Sequence, residues 1–374
     1  MDLNEAAGQY GAPVLAVCGF SGSGKTTLLE TAIPKLVGRG LAVAVVKHDA
    51  HGFEVDKPGK DSDRLFRAGA AVALRGPQQQ FERRGAKAIL SLETTLARLA
   101  CDHDLLLVEG HKDTPLPKLW LKSAEQVEVP ESVTNVAQVL EWDRDRSAAL
   151  MEYIDRWLPT AWNARPLYRG LLIGGASSRM GSPKQMVLFG GRMLGEIAAE
   201  ALGGIGSEGN SRIVVLGAGL LPESLKTLGQ LPDAPNFAGP GAALIAAHRW
   251  APGAAWIVAA CDHPWLAPEH IAWLAAQRQP GRWAVIPKQS DGHPCPTLAL
   301  YEPQALEYIA RQAQSGGSRD ARAAVLLDLP RTAIVMPPAE FAKGWDNVNT
   351  RQELRAEEEQ LPRRQQSEVT GRKG

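Results

Sequence analysis

Cysteine pairs, an excess of either charge and long apolar runs are all missing from this sequence. The four cysteines among 374 residues stand far apart and form no CxxC pair, which argues against a disulfide framework or a zinc site. The 41 basic and 41 acidic residues cancel, so bulk charge predicts no nucleic-acid partner. No apolar run approaches the roughly 18–20 residues of a membrane span, and the first residues lack the pattern of a signal peptide. We therefore expect a soluble, cytoplasmic protein without a membrane span.

What is present indicates two α/β domains. A length of 374 residues exceeds one ordinary domain, and an apolar fraction of 44% is enough to bury real cores. Short β-rich runs alternate with helical patterns throughout, which is typical of parallel sheets. The aperiodic, proline-containing stretch 159–170 is interpreted as a linker between an N-terminal half, 1–163, and a C-terminal half, 164–355. The charged tail 356–374 has too few apolar residues to pack and is expected to be disordered.

The patterns also predict individual elements in each half. In the N-terminal half, strands are predicted over 14–20, 41–48 and 104–110, and helices over 25–37, 61–70, 92–100 and 147–158. In the C-terminal half, strands are predicted over 167–175, 212–219, 254–262, 282–288 and 297–301. A charged helix is predicted directly after Asn349.

A glycine-rich loop follows the first predicted strand. The run GFSGSGKT, from Gly19 to Thr26, lies between a predicted strand and a predicted helix, which is the context of a P-loop. Its backbone N–H groups can face a β-phosphate, Lys25 can reach the β/γ oxygens, and the Thr26 hydroxyl can ligate Mg²⁺. A glycine-rich turn without nucleotide is the alternative. The residues predicted to contact the nucleotide are Gly22, Ser23, Gly24, Lys25, Thr26 and Thr27.

Further polar residues follow neighbouring strands of the N-terminal half. Glu109 ends an apolar strand on the P-loop side, where a carboxylate can reach the metal through water; an ordinary strand-end charge is the alternative. His48, Asp49 and His51 share one loop and have no distant fourth ligand, which makes a metal site there a weak hypothesis.

The N-terminal half resembles the MobB family. The resemblance lies in the runs GFSGSGKTTLLE, VVKHDAHGFEVDKPGKDSDR and LLLVEGHKDTPLPK and covers about residues 13–158. It implies a P-loop NTPase-like α/β domain that binds GTP, with weak or absent turnover, as an adaptor of molybdopterin guanine dinucleotide synthesis. Apo-proteins of molybdoenzymes and other proteins of cofactor biosynthesis are the implied partners. A homodimer through this half stays open.

A second phosphate-handling loop, IGGASSRMGSPK, occupies residues 173–184 after another predicted strand. It is neither a P-loop nor a GxGxxG turn. Gly174 and Gly175 permit close approach to a base, ribose or phosphate, and Arg179 and Lys184 bring two cations onto one loop. A solvated loop with casual charges is the alternative.

Later features favour the functional interpretation of that loop. VAACDHPWL is a buried strand that ends in Asp262, a natural Mg²⁺ ligand at the carboxyl edge of a parallel sheet. The stretch 231–247 is a loop whose Gly239-Pro240-Gly241 leads into an apolar helix. DGHPCPTLAL and WDNVNT add polar loops after other strands.

Taken in this order, the set resembles the MobA family of molybdenum cofactor guanylyltransferases over about residues 168–355. The family pattern GGxxxRMGxxK matches Gly174, Gly175, Arg179, Met180, Gly181 and Lys184. The metal-binding aspartate of its CDxP-like motif matches Asp262, the loop before GPLAG matches Asp233 and Asn236, and the closing VNT matches residues 348–350. The HPT motif matches His293, Pro294 and Thr297 with two residues inserted. GPLAG reads GPGAA here, so the base-contacting and pterin-contacting residues depart from the family pattern.

The second resemblance implies a Rossmann-like nucleotidyltransferase domain and a reaction. In that reaction a terminal phosphate of molybdopterin attacks the α-phosphorus of GTP and pyrophosphate leaves. We expect Asp262 to hold Mg²⁺, Lys184 with Arg179 to neutralise the leaving pyrophosphate, and the backbone of Ile173–Gly175 to clasp guanine and ribose. Asp233 is a plausible partner of the guanine N–H groups. The further residues expected at the nucleotide are Asn236, Gly239 and Asn349.

Two other functions stay open at this stage. The RMGxxK loop does not choose the base, so a molybdopterin cytidylyltransferase of the same fold is one alternative. A non-catalytic carrier or scaffold, which binds GTP and the pterin without releasing pyrophosphate, is the other.

Overall fold

The N-terminal half forms a five-stranded sheet in the order β2-β5-β1-β6-β7, and every pair in it is parallel. Its strands are β1 Val14–Gly19, β2 Val43–Lys47, β5 Leu105–Glu109, β6 Lys118–Leu121 and β7 Val136–Leu140. A separate antiparallel hairpin joins β3 Val72–Arg75 to β4 Gln80–Arg83. The computed structural model describes residues 9–49, 52–85, 89–125, 128–174, 180–203, 213–315 and 321–361.

Helices cover both faces of this sheet. They are α1 Lys25–Gly38, α2 Asp61–Arg67, α3 Leu92–Ala100 and α4 Arg146–Asn163. The apolar faces of α1 and α4 bury one side of the sheet, and α3 packs on the other side. The predicted strands at β1, β2 and β5 and all four predicted helices are confirmed.

The strand β6 was not predicted, although it is buried along its whole length beside β1. It has only four residues and begins with Lys118, so its sequence shows no apolar run. The Lys118 ammonium is satisfied inside the protein, where it donates to the carbonyl of Leu116 at 2.9 Å. A strand that begins with a buried lysine is therefore not predicted from its hydrophobic pattern.

The motif VDKPGKDSDR holds the hairpin against α2. Asp63 is buried, and its carboxylate accepts hydrogen bonds from Gly59 N at 2.9 Å, Arg67 Nε at 2.8 Å and Arg83 Nη1 at 2.9 Å. These hydrogen bonds hold the pKa of Asp63 below its ordinary value, with the Gly59 amide as the largest cause. The contacts of Asp63 therefore hold the loop, α2 and β4 together.

The prediction of a linker over 159–170 is wrong at both ends. The helix α4 continues through Pro159 to Asn163, and β8 begins at Leu167, so only residues 164–166 connect the two halves. Burial of Ala161 and Trp162 outweighs the hydrogen bond that Pro159 cannot donate. The division at 163/164 itself stays a prediction.

The C-terminal half forms a seven-stranded sheet in the order β12-β11-β8-β13-β15-β14-β16. Its strands are β8 Leu167–Leu172, β11 Ile213–Leu216, β12 Gly229–Leu231, β13 Ala255–Ala260, β14 Ala284–Pro287, β15 Leu298–Tyr301 and β16 Thr332–Val335. The strand β15 runs antiparallel to both neighbours, so the sheet is mixed rather than wholly parallel. A short antiparallel pair, β9 Leu188–Phe189 and β10 Arg192–Met193, lies beside it.

The helices of this half also lie on both faces of the sheet. They are α5 Leu194–Ala201, α6 Pro240–Trp250, α7 Pro268–Ala275, α8 Pro303–Ser315 and α9 Arg351–Glu358. One core contains the apolar faces of α5, α7 and α9, and the other contains those of α6 and α8. The charged helix predicted after Asn349 is confirmed as α9, and Leu361 beyond it is buried in the first core. Residues 362–374, the rest of the predicted tail, lie outside the described residues.

The two sheets meet through the ends at which their parallel strands begin. Arg165, two residues before β8, donates to the carbonyl of Gly11, which lies just before β1, at 2.7 Å. The same guanidinium donates to Glu302 Oε2 at 2.8 Å, and Arg278 Nε donates to Glu302 Oε1 at 2.8 Å. Trp162 Nε1 donates to Glu302 Oε1 at 3.1 Å. The Arg165 and Glu302 side chains are fully buried, so this cluster forms a polar core between the sheets.

A second buried carboxylate crosses the same interface. Asp104 directly precedes β5 and accepts from Trp283 Nε1 at 2.7 Å and from Arg331 Nη1 at 2.5 Å. Ala42 N also donates to it, at 2.7 Å. Burial raises the pKa of Asp104 despite these hydrogen bonds. Trp283 and Arg331 directly precede β14 and β16, so the beginnings of the parallel strands again face each other.

The carboxyl ends of the parallel strands consequently lie on the sides remote from the interface. Among the described residues, no helix is both long and apolar enough to cross a bilayer.

Candidate functional site

A cavity of about 370 Å³ opens at the carboxyl ends of β8 and β13 in the C-terminal half. The predicted site residues Ile173, Gly174, Lys184, Asp233, Gly239 and Asp262 all line it. Its other lining residues include Gln185, Pro240, Cys261 and Thr297. Gly175 and Arg179, also predicted here, lie outside the described residues. Asn236 has a positive φ of 72° and is not among the lining residues.

Lys184 is the most connected polar group of this cavity. It begins a short 3-10 helix, Lys184–Met186, and its Nζ donates to Asp262 Oδ2 at 2.7 Å and to Asn349 Oδ1 at 2.9 Å. The side chains of Lys184 and Asp262 are 23% and 13% exposed, so the ion pair is mostly withdrawn from water yet reachable from the cavity. Three predicted residues from distant parts of the chain therefore meet at one ammonium group.

The start of α9 explains why Asn349 reaches this ammonium. Thr350 is the N-cap, its hydroxyl accepts from Glu353 N at 3.2 Å, and the Glu353 carboxylate accepts from Asn349 N at 2.6 Å. This reciprocal capping box fixes the backbone around Asn349. Val348 N donates to the carbonyl of Asp262 at 2.8 Å and ties the segment to the end of β13. Glu353 was not predicted as a site residue, although the spacing Thr-x-x-Glu signals it.

Asp262 has one oxygen left for another partner. Its Oδ1 is buried and has no hydrogen-bond partner in the described part of the chain, while Oδ2 receives Lys184. The buried His263 faces the same oxygen, with its Nε2 at 3.5 Å. A buried carboxylate oxygen without a hydrogen-bond donor is compatible with a metal ligand.

Asp233 supplies a second carboxylate to the cavity. It lines the cavity near Gly239, and burial raises its pKa above the ordinary value. Gly239 has φ 77° and precedes Pro240, the first residue of α6, so a side chain there would be strained.

Cys261, next to Asp262, is a buried thiol whose Sγ donates to the carbonyl of Leu172 at 3.2 Å. Burial raises its pKa far above the ordinary value, and the neighbouring Asp262 raises it further. A thiol that stays protonated is a poor nucleophile, so its packing role suffices to explain it.

The P-loop of the N-terminal half has the backbone that its sequence predicts. Gly22 and Gly24 adopt φ of 75° and 86°, which glycine permits at no steric cost. Lys25 Nζ donates to the carbonyls of Gly19 and Phe20 at 3.1 and 2.8 Å. Burial lowers the pKa of Lys25. Ser23 is fully buried, and its Oγ has no partner among the described residues.

Thr26 and Glu109 are in direct contact, and an unpredicted lysine lies beside them. Thr26 Oγ1 donates to Glu109 Oε1 at 2.9 Å, so the strand-end carboxylate lies at the P-loop. Lys47 Nζ lies 3.4 Å from the same Oε1 and 3.5 Å from Thr26 Oγ1. Thr27, also predicted to contact nucleotide, lies exposed in the first turn of α1.

A second unpredicted residue stabilises the loop from outside. Arg146, the first residue of α4, donates from Nη1 to the carbonyl of Ser23 at 2.8 Å and from Nε to the carbonyl of Glu141 at 2.8 Å. No pattern in the sequence links an arginine to a loop 123 positions earlier.

The histidine loop of this half shows no metal site among its described residues. His48 packs against His111, with ring centroids 4.6 Å apart. His51 lies outside the described residues, so the weak metal hypothesis there gains no support.

The N-terminal half is a P-loop domain. The C-terminal half is an α/β domain with a lysine–aspartate pair at the carboxyl ends of its strands. Together they define a nucleotide-binding protein of two parts. Comparisons with known proteins agree. Residues 14–141 match the family model described as molybdopterin guanine dinucleotide synthesis protein B, MobB. Residues 170–329 match the MobA-like NTP transferase domain. The chain thus belongs to the MobB family in its N-terminal half and to the MobA-like NTP transferases in its C-terminal half.

Individual relatives point the same way. The chain is 38% identical over 174 residues to the molybdopterin-guanine dinucleotide biosynthesis adapter protein of Haemophilus influenzae, which covers 41% of this chain and 93% of that protein. It is 30% identical over 200 residues to the probable molybdenum cofactor guanylyltransferase of Bacillus subtilis, which covers 50% of this chain and 93% of that protein. Among solved structures, molybdopterin-guanine dinucleotide biosynthesis protein A from Archaeoglobus fulgidus aligns with a TM-score of 0.40 at 26% identity, covering 51% of this chain and 97% of that one.

Proposed function

We propose that the C-terminal half is a molybdenum cofactor guanylyltransferase, which transfers GMP from GTP to molybdopterin cofactor and releases pyrophosphate. The observation that carries the proposal is the cavity at the sheet edge where Lys184 and Asp262 meet. Membership of the MobA-like NTP transferases supports the reaction class. The guanylyltransferase name of the Bacillus subtilis relative supports guanine and the molybdenum cofactor as the groups joined.

The chemistry needs cations more than a base. A phosphomonoester has its second pKa near ~6, so the attacking phosphate is already an anion at neutral pH and requires no general base. The barrier lies in bringing two anions together in line, which positive groups and fixed positions lower. Lys184, held by Asp262 and Asn349, is oriented toward the cavity for that purpose. Arg179 is proposed as a second cation on the same loop.

Asp262 is the residue that would hold a Mg²⁺ ion, which would supply positive charge to the substrate phosphates. Its Oδ1 is buried without a partner among the described residues, and Mg²⁺ prefers carboxylate oxygens. Within the described ranges, no group of three or more His, Cys, Asp or Glu side chains could hold a metal. Mg²⁺ is usually held by one or two carboxylates together with substrate phosphates, so a single aspartate is compatible with it. Bound there, the ion would supply charge stabilisation at the α-phosphate.

Asp233 is proposed to select guanine. Guanine presents two N–H donors on its pairing edge, and the Asp233 carboxylate, which lines the cavity, is a matching acceptor. Removing that carboxylate loses hydrogen bonds to a charged group, which costs about 1.5–3 kcal/mol. We therefore expect Asp233→Asn to lower kcat/KM for GTP about ten- to hundredfold, with a smaller effect on CTP. An equal loss for both nucleotides would remove Asp233 from base selection.

One assay separates the three candidate functions. The full chain is supplied with molybdenum cofactor and each Mg-NTP in turn, and pyrophosphate release is followed. Release with GTP alone supports the guanylyltransferase, and release with CTP alone supports the cytidylyltransferase. Binding of GTP and pterin without pyrophosphate release identifies a carrier and overturns the proposed enzyme.

We propose further that the N-terminal half binds GTP as an adaptor. The support is the P-loop conformation around Lys25 and the Thr26–Glu109 contact, together with membership of the MobB family. Lys47 lies beside the Thr26 and Glu109 oxygens, where the sequence predicted a metal ion. GTP hydrolysis by the full chain carrying Lys184→Ala tests the adaptor role. Turnover comparable to that of ordinary GTPases contradicts it.

The proposed partners follow from the same role. They are apo-proteins of molybdoenzymes, other cofactor-biosynthesis proteins and a second copy of the N-terminal half. Apolar side chains exposed in this half give such contacts a surface: Phe53, Val55, Leu65, Leu74 and Ile89. The homodimer is tested by measuring the molecular mass of the full chain and of the Phe53→Asp variant by sedimentation. We place the protein in the cytoplasm, where its free cysteines stay reduced.

A further inference from the structure

Lys47 stands at the place where P-loop proteins use a metal ion. It ends β2, Glu109 ends β5, and the two are register partners in adjacent parallel strands. Paired residues of neighbouring strands point to the same face, so both side chains lie at the P-loop. The Lys47 ammonium lies 3.4 Å from Glu109 Oε1 and 3.5 Å from Thr26 Oγ1.

Those two oxygens have a known use in P-loop folds. The P-loop Ser or Thr hydroxyl and a carboxylate from a neighbouring strand hold the Mg²⁺ that bridges the β- and γ-phosphates. Here the hydroxyl and the carboxylate contact each other at 2.9 Å, and the ammonium lies against both. Lys47 and a divalent cation would therefore compete for one set of ligands. The Lys47 side chain is 54% exposed, which leaves it free to turn toward a bound phosphate.

The C-terminal site shows the contrast. There Lys184 takes Oδ2 of Asp262, and Oδ1 remains buried without a partner among the described residues. At the P-loop the hydroxyl of Thr26 and the ammonium of Lys47 converge on the same oxygen, Oε1 of Glu109. At the P-loop the lysine thus lies against both expected metal ligands, the Thr26 hydroxyl and the Glu109 carboxylate, whereas Lys184 contacts one oxygen of Asp262.

We propose that Lys47 supplies at the P-loop the positive charge that Mg²⁺ supplies in P-loop NTPases, so the N-terminal half binds nucleoside di- and triphosphates with little dependence on divalent metal. The inference rests on the proposed nucleotide binding by this half. It also gives a reason for low turnover. A lysine neutralises phosphate charge through hydrogen bonds and carries one positive charge, whereas Mg²⁺ carries two, so the lysine stabilises the charge that develops during phosphoryl transfer less well.

The test measures affinity with and without metal. The chain carries Lys184→Ala and Asp262→Ala, so the C-terminal site is weakened and the P-loop dominates binding. Affinities for GDP and GTP are measured by calorimetry in excess Mg²⁺ and in EDTA, and we expect them to differ by less than about tenfold. Adding Lys47→Met should weaken binding in EDTA about ten- to hundredfold, because a charged contact to phosphate is lost. The loss should be smaller in Mg²⁺, and Lys47→Arg should retain binding in EDTA.

Lys226→Met is the matched control. Lys226 is 59% exposed and paired with Glu223 at 2.6 Å, but it lies in the C-terminal half, so its removal should change neither affinity. Adding Lys25→Ala should abolish the signal and so identify it with the P-loop. If EDTA weakens the parent more than a hundredfold, or if Lys47→Met binds like the parent in EDTA, the role of Lys47 is overturned. If a folded parent binds no nucleotide in either buffer, the proposed nucleotide binding fails, and the role of Lys47 fails with it.

Discussion

The two candidate nucleotide sites of this chain are built in opposite ways. The P-loop site comes mainly from one contiguous segment, Gly19 to Thr26, to which Glu109 and Lys47 are added by neighbouring strands. The C-terminal site gathers Lys184, Asp262 and Asn349 from three separate regions. A contiguous site is stabilised by its own turn and helix start. An assembled site depends on the packing of the whole sheet behind it.

Both sites are supported by the interface between the two sheets. Both lie at the carboxyl ends of parallel strands, and the opposite ends of those strands meet around the buried carboxylates of Glu302 and Asp104. The two sites therefore lie at the strand ends remote from this interface.

The largest expected effect comes from disrupting the buried polar cluster at this interface. Glu302→Ala leaves Arg165 and Arg278 as buried charges without their carboxylate, and we expect a loss of about 3–5 kcal/mol in the free energy of unfolding. Urea unfolding of the full chain measures it. The control is Glu200→Ala, whose partner Arg192 is exposed, and it should cost no more than about 1 kcal/mol. Equal losses for the two variants would contradict a structural role of the buried cluster.

The next effect separates the two sites by their chemistry. Lys184→Ala or Asp262→Ala should lower the rate of pyrophosphate release by about 10²–10³, because each removes an electrostatic group at the reacting phosphates. Lys25→Ala should leave the rate with purified molybdenum cofactor unchanged, since its site is remote from the reaction. Circular dichroism checks that the variants are folded. A comparable loss with Lys25→Ala would mean that the P-loop takes part in the transfer.

A smaller effect tests how the assembled site is held. Asn349→Ala removes one acceptor from Lys184, and we expect kcat/KM to fall about tenfold, the size of one hydrogen bond to a charged group. Thr350→Ala removes the N-cap of α9 and should cost about 1 kcal/mol of stability, with a smaller loss of activity. The reverse order, with Thr350→Ala the more harmful to activity, would show that the cap matters more than the contact.

The smallest effect concerns the thiol of Cys261, next to Asp262. Cys261→Ser should retain the parent rate of pyrophosphate release, because a buried thiol with a raised pKa takes no part as a nucleophile. A rate as low as that of Lys184→Ala would instead make the thiol part of the reaction.

Much of the fold followed from the sequence, and the exceptions have physical causes. Strands such as β1 and β13 are continuous apolar runs and were predicted nearly to the residue. The strand β6 was missed because a buried lysine interrupts its pattern. The linker was misplaced because Pro159 suggested a break where the burial of Trp162 continues the helix. The antiparallel direction of β15 also has no signal in a four-residue apolar run.

The candidate sites divide in the same manner. Motif residues such as Lys25, Lys184 and Asp262 were identified because short spacings carry their chemistry. Lys47 and Arg146 were missed because their contacts depend on which strand lies beside which and where a distant helix begins. Asn236 was placed at the nucleotide by its motif, yet it does not line the cavity.

By itself, the sequence determined that this chain has two α/β halves, a P-loop, a second loop with cations and an aspartate after a buried strand, because local periodicity and short motifs encode these features. Only the tertiary structure decided that Lys184 is held by Asp262 and Asn349, that Lys47 lies beside Thr26 and Glu109, and that the two sheets meet through the ends at which their parallel strands begin. Those facts depend on strand order, register and the packing of sheet ends. Such relations join residues far apart in the chain, and no local pattern records them.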